Sequence, residues 1–196
     1  PDAGERLHEI PFDAARMRLS VVQQMPQGAM LYSKGAPEKM LPLCSGILVD
    51  GEVLPLDTAQ QQRVLQAQLA MAEKGLRVLA LAGKRVTAGH AKLVEEDAMV
   101  LCGLAGLDDP ARPEVPQAIR QCHEAGIRII MITGDHPRTA VAIARNIGLV
   151  RTEQPLVITG EQLRQFSEAQ LQLALDADDI VFARVAAEQK LLIVEA

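Results

Sequence analysis

Hydrophobic and polar positions change period partway along the chain. In the first hundred residues they alternate in short runs that read as strands. Leu7 to Phe12 is a strand candidate, and Met17 to Met25 and Ala29 to Ser33 flank Pro26-Gln27-Gly28 as an antiparallel hairpin. Lys34-Gly35 leaves that strand, and Pro37 opens a short helix reaching Leu43. A second hairpin, Ile47 to Leu56, turns at Asp50-Gly51, a strong two-residue turn signal. Asp57 caps a helix from Thr58 to Lys74, whose Leu65, Leu69 and Ala72 form one apolar side and which Gly75 ends. Leu76 to Val86 and Met99 to Leu107 are further strands, joined by the polar segment Thr87 to Asp97. This half reads as an antiparallel sheet with helices on one face.

The pattern changes at Asp108-Asp109-Pro110-Ala111-Arg112-Pro113, which reads as a hinge. Helical periods and apolar runs then alternate. Val115, Ala118, Ile119 and Cys122 make a helix face ended by Gly126. Ile127 to Ile132 is β-branched and nearly all apolar, as a strand buried on both faces requires. Thr133-Gly134-Asp135 follows, and Pro137 starts a helix with Ala140, Ile143, Ala144 and Ile147 in phase and Gly148 as terminator. Thr159 with Gln162, and Ser167 with Gln170, form capping boxes for two short helices. Ile180 to Val185 is a strand, and Ala186 to Ala196 begins a helix. Strand–helix alternation of this kind predicts a parallel, doubly wound sheet. The fold class expected is α/β: an antiparallel α+β layer, then a partial doubly wound domain.

Composition narrows the chemistry. Of 196 residues 48% are hydrophobic but only 2% aromatic, so the core must be aliphatic. A net charge of −5 and the lack of a basic stripe argue against a nucleic-acid partner. Cys44, Cys102 and Cys122 have no paired spacing, which suits a reducing compartment. His8, His90, His123 and His136 lack metal-ligand spacing, so no metal site is expected, and no apolar run approaches the ~20 residues needed to cross a bilayer. The first residue is Pro1, and the last residues, KLLIVEA, continue a helical pattern; the expectation is a piece of something longer.

The residues at strand ends carry the candidate chemistry, because open α/β sheets bind ligands at the carboxyl ends of their strands. Thr133 offers a hydroxyl, Gly134 an unobstructed N–H and Asp135 a carboxylate; an ordinary capped turn would look the same. Lys34-Gly35 sets a cation beside bare backbone, which suits a phosphate or an adenine edge, or is a surface lysine beside a turn glycine. Phe12 is core or a platform for a base, and Arg77 begins a strand with an equally open role. Arg184 and Lys190 either converge on phosphate or are solvated.

Five stretches in order, KGAPE at 34–38, GLRVLALA at 75–82, LDDPARPEV at 107–115, MITGDHPRTAVAIARNIGL at 131–149 and FARVAAEQK at 182–190, resemble the cytoplasmic region of P-type cation-transporting ATPases. The resemblance implies a nucleotide-binding domain at 1–107 and a partial phosphorylation domain of haloacid-dehalogenase type at 108–196. It further implies ATP as ligand, Mg²⁺ as cofactor, an aspartyl-phosphate intermediate, and the transmembrane and actuator domains of a pump as partners at the cytoplasmic face of a membrane. By position, Phe12 would stack on adenine beside Lys34 and Gly35. Arg77 would contact phosphate or ribose, and Asp109, supported by Arg112, would lie near the ribose. Thr133, Gly134 and Asp135 would hold the γ-phosphate, Arg184 would face the nucleotide, and Lys190 would neutralise the transferred phosphate. Thr133, Asp135 and Lys190 are thus the candidate catalytic residues.

The chain departs from the family pattern at several points. Ala111 replaces a hinge proline, Ala14 and Ala15 replace polar residues after Phe12, and Ala186-Ala187 replace a Ser-Pro or Glu-Pro pair. Neither an Asp-Lys-Thr-Gly-Thr nor a Gly-Asp-Gly-x-Asn-Asp stretch occurs, so the chain alone is expected not to turn over ATP, and most Mg²⁺ ligands are expected outside it. The wording of the motifs is nearer to calcium or sodium/potassium pumps than to heavy-metal pumps. Two other readings are a soluble phosphatase of haloacid-dehalogenase class, for which Asp176, Asp178 and Asp179 precede rather than follow their strand, and a non-catalytic nucleotide-binding module.

Overall fold

The computed structural model describes residues 4–87, 91 and 94–196. The chain divides into two compact units, one of residues 1–68 and 78–107, the other of 69–77 and 108–196.

In the first unit β1 (Arg6–Asp13), β2 (Arg18–Met25) and β3 (Gly28–Gly35) form an antiparallel meander, followed by the short helix α1 (Pro37–Met40) and a 3₁₀ turn at Leu41–Leu43. Next come β4 (Cys44–Val49), β5 (Glu52–Pro55), α2 (Thr58–Ala72), β6 (Arg77–Val86) and β7 (Met99–Leu107). The seven strands lie in the order β1-β2-β3-β6-β7-β4-β5. The two-residue turn at Asp50-Gly51 has φ of 51° and 88°, the left-handed pair that a tight hairpin needs. Asp57 Oδ1 accepts from Gln60 N at 2.8 Å and caps α2. The core is aliphatic: Val22, Leu31, Ala80, Met99 and Leu101 of the sheet and Met40 of α1 are wholly buried in one cluster.

Two expectations need correction. The sheet is not purely antiparallel, because β4 runs parallel to β7. The long excursion through β5, α2 and β6 separates them, and a connection of that length permits parallel pairing. Lys34 and Gly35 do not leave the strand: they pair with Leu19 and Arg18 on one side and with Leu81 and Ala80 on the other. His90 lies outside the described residues.

In the second unit α3 (Val115–Glu124), β8 (Met131–Ile132), α4 (Pro137–Asn146), β9 (Leu156–Thr159), α5 (Gly160–Leu163), α6 (Glu168–Leu175), β10 (Ile180–Ala183) and α7 (Ala187–Glu195) alternate. The strands form a parallel sheet in the order β8-β10-β9. Both capping boxes are present, at Thr159/Gln162 and Ser167/Gln170. The buried central strand alternates between two cores. Val181 and Ala183 join Ile119 of α3 and Ala140 and Ala144 of α4, whereas Ile180 and Phe182 join Leu163, Leu171 and Ile193 of α5, α6 and α7. The predicted strand 127–132 shortens to Met131–Ile132. Only Met131 and Ile132 find partners, Val181 and Phe182 of β10. Ile129 and Ile130 still bury into opposite cores, which preserves the two-faced pattern without the hydrogen bonds. Among the described residues no helix is long and apolar enough to cross a membrane.

Candidate functional site

The strongest polar constellation of the second unit sits at the carboxyl end of β8. The Thr133 N–H donates to Phe182 O of β10 at 2.9 Å. After β10 the chain returns to the same loop: Arg184 N donates to Asp135 O and Val185 N to Thr133 O, each at 3.1 Å. Arg184 has φ of 54°, a left-handed conformation uncommon for a bulky residue and often found at functional turns. Within the loop Thr133 Oγ1 donates to Asp135 Oδ2 at 3.0 Å and accepts from Asp135 N at 3.1 Å. Nothing lies within 4 Å of where a Gly134 Cβ would stand, so its backbone is open to a ligand. His136 caps α4 through Arg138 N, and Pro137 takes the first helical position.

Arg77 belongs to this cluster. Its Nε donates to Asp135 Oδ1 at 2.8 Å, and the guanidinium remains largely exposed. The placement of Arg77 follows from the end of α2. Gly75, at φ 82°, terminates the helix, and Leu76 O then accepts from Thr139 Oγ1 of α4 at 2.9 Å. Arg138 pairs with Glu73 at 3.2 Å on the same surface. Arg184 Nη1 donates to Gly134 O at 3.4 Å. Asp109 is exposed and near enough for its charge to act on Arg77. Arg112 is exposed, its carbonyl accepting from Val115 N, and Lys190 is exposed in the first turns of α7. The structure therefore joins Thr133, Gly134, Asp135, Arg77 and Arg184 by hydrogen bonds.

Burial pushes the Asp135 carboxyl up, but hydrogen bonds from Arg77 and Thr133 and the charges of Arg77 and Arg184 outweigh it and hold the group below its ordinary value. A carboxyl depressed in the folded state stabilises above its unfolded value, about 3.9, and loses that contribution as pH falls through the lower folded value. Acid titration of stability should therefore show a fall below about pH 4 that is shallower in Asp135→Asn. Identical acid limbs in wild type and variant would mean that the Arg77 pair does not stabilise the fold.

This carboxylate accepts hydrogen bonds from both Arg77 and Thr133. Among the described residues no group of three or more His, Cys, Asp or Glu could hold a metal ion. The described residues therefore do not fit Mg²⁺. Asp179, one of the acids a phosphatase reading would use, accepts from the backbone N–H of Arg151 and Thr152 and so ties down a loop.

In the first unit Phe12 is 62% exposed, which excludes a core role. Its exposure has a local cause. The pairs Ile10–Ser20 and Asp13–Arg18 leave Pro11 and Phe12 opposite Leu19 alone, a bulge on an edge strand. Bulges re-aim side chains, and proline is tolerated there because an edge N–H needs no ladder partner. Leu19 pairs with Lys34, and Lys34 with Leu81, so Lys34 stands two strand spacings from the bulge, about 9.5 Å. Lys34 and Leu81 are exposed on the sheet face opposite the core. Gly35 has a packing reason as well: a Cβ there would meet Met17 O at 2.6 Å and Arg18 Cβ at 2.5 Å. Gly35→Ala should therefore cost about 1–3 kcal/mol, measured by urea unfolding; no loss would mean that β2 and β3 separate freely. Sequence reasoning overlooked Arg16 and Glu96, which pair beside this bulge at 3.0 Å.

Comparison with known proteins identifies the lineage. A family model described as P-type ATPase, cytoplasmic domain N, matches residues 2–114. Calcium-transporting ATPase 1 of Bacillus cereus is 38% identical over 193 residues, covering 98% of this chain and 22% of that protein. Cation-transporting ATPase pma1 of Synechocystis is 38% identical over 195 residues (97% and 21%), and the sodium/potassium-transporting ATPase subunit alpha-2 of Gallus gallus 33% over 232 (99% and 23%). The chain spans between a fifth and a quarter of the length of these curated relatives. With the family model matching more than half of its residues, the chain belongs to the P-type ATPases.

Proposed function

We propose that this chain is the ATP-handling part of a cation pump, its first unit gripping adenine and its second recognising phosphate. The observation that carries the reading is the loop after β8. A hydroxyl (Thr133), an open backbone (Gly134) and two guanidinium groups (Arg77, Arg184) gather at the carboxyl end of a parallel strand, and Asp135 orients one of them. That donor set suits an anion with several oxygens, and guanidinium groups match phosphate geometry. Phe12 supplies the aromatic face for the base, with Lys34 and Gly35 nearby on the sheet. Asp109 and Arg112 sit at the ribose end, and Lys190 offsets charge on the transferred phosphoryl group.

In this reading the second unit is a partial domain of haloacid-dehalogenase type, and the whole protein transfers phosphate from ATP to an aspartate during cation transport. Its relatives are named calcium, cation and sodium/potassium transporters, so a cation is the cargo. Transmembrane and actuator domains would be the partners, with this part at the cytoplasmic membrane face.

Amide NMR separates the two recognition sites. ATP should shift the signals of Phe12, Lys34–Gly35 and Thr133–Asp135; adenosine alone should move the first group, and tripolyphosphate the second. ATP should also protect Lys34 from amine-reactive labelling. No shift in either group at millimolar ATP would sink the proposal.

Catalysis by the isolated chain is not expected. No Asp-Lys-Thr-Gly stretch is present to carry the acyl phosphate. Incubated with γ-labelled ATP and Mg²⁺, it should take up no hydroxylamine-sensitive label. A stable label of that kind would make one of its own carboxylates a nucleophile and reopen the phosphatase reading.

A further inference from the structure

The exposed Phe12 lies on an edge strand, yet the backbone beneath it is anchored from far along the chain. Arg16 Nη2 donates to the carbonyl of Pro11, the residue before Phe12, at 3.1 Å. The same guanidinium donates through Nη1 to Glu96 Oε2 at 3.0 Å. Glu96 is itself fixed, its side chain only 7% exposed. Arg18 Nε donates to Oε2 at 2.8 Å and Ser20 Oγ to Oε1 at 2.6 Å, and Ser20 bonds in turn to the buried Ser33 of β3. The turn between Phe12 and Arg16 is tied from within as well: Asp13 Oδ1 accepts from Ala15 N and Arg16 N, and Met17 N donates to Asp13 O at 2.7 Å.

We infer that Arg16, held by Glu96, is a positioning residue for Phe12: it fixes the bulge so that the aromatic ring is presented as a preformed platform for the base. The physical reason is entropic. An unsupported edge bulge would be ordered only when ligand arrives, and that ordering would be subtracted from affinity. A carboxylate this buried is stable only when several donors satisfy it, and here three side chains do. Two of those donors, Arg18 and Ser20, already root Glu96 in the sheet. The third, Arg16, alone carries the constraint outward to Pro11. The inference rests on the reading of Phe12 as the adenine platform and adds how the chain holds that platform in place.

The test is a double-mutant cycle on the full 196-residue chain, read by calorimetric titration with ATP, adenosine and tripolyphosphate. Arg16→Met keeps the aliphatic stem and leaves Glu96 satisfied by Arg18 and Ser20, so the fold should persist. Alone it should weaken ATP and adenosine about fivefold and leave tripolyphosphate unchanged. In a Phe12→Ala background it should add less than about twofold, because coupled residues are not additive. If Arg16→Met fails to fold, Arg16→Lys replaces it. The lysine keeps the charge beside Glu96 but lacks the fork that reaches Pro11, and it should lose the same affinity. A folded variant that binds like wild type while Phe12→Ala weakens binding would overturn the positioning role alone. So would equal losses in both backgrounds, which would mean that Arg16 acts independently of Phe12. If Phe12→Ala itself changes nothing, the adenine reading fails and takes this inference with it.

Discussion

Replacing Phe12 with alanine should weaken ATP binding about tenfold or more. Base–aromatic stacking contributes about 1–3 kcal/mol per base, and each 1.4 kcal/mol is about a factor of ten in affinity. The site makes this a clean experiment. Phe12 is 62% exposed, so truncation opens no cavity and should leave thermal stability almost unchanged. Adenosine should lose as much affinity as ATP, whereas tripolyphosphate should lose none. A variant that binds ATP as well as wild type would show that the bulge aims Phe12 at something other than the nucleotide.

The opposite profile is expected for a phenylalanine of the core. Phe182→Ala should cost the second unit about 3–5 kcal/mol of stability, the usual loss for a large aromatic truncated in a core. Phe182 is 0% exposed in the central strand β10, packed among Ile158, Leu163, Leu171 and Ile193. Its neighbours lie on a strand and three helices, so they cannot all close on the space left behind. Denaturant unfolding followed by amide signals of residues 108–196 would measure the loss. Tyr32, the only tyrosine in a chain without tryptophan, reports separately on the first unit. A change under about 1 kcal/mol would mean that the helices collapse onto the strand with ease.

Local chemistry was the legible part of this chain. The capping boxes at Thr159 and Ser167, the Asp50-Gly51 turn and the Pro137 helix start depend on residues a few positions apart, and each appears where the spacing put it. Pairing across distance was harder. Nothing in the alternation of β4 reveals that it runs parallel to β7, because a strand's pattern reports which face is buried and not which neighbour it takes. The apolar run from Ile127 marked the burial of Ile129 to Ile132 but overstated the strand, because apolar alternation reports burial and not ladder pairing. Arg77 and Asp135 were each visible as candidates, yet 58 positions separate them and no pattern joins them. Glu96 gave no signal at all: in the polar run before Met99 it looks solvated, and its donors lie 76 to 80 positions earlier. The bulge at Pro11-Phe12 did have a marker, the proline inside a strand pattern.

The paired bonds from Arg184 N to Asp135 O and from Val185 N to Thr133 O have a mechanical consequence. They rivet the turn after β8 to the turn after β10, and α7 begins two residues beyond the second rivet. A push on Thr133–Asp135 therefore has little slack to absorb it before it reaches the base of α7. Lys190 rides on that helix, so a load applied at one turn would be delivered to the lysine as a tilt of its mount.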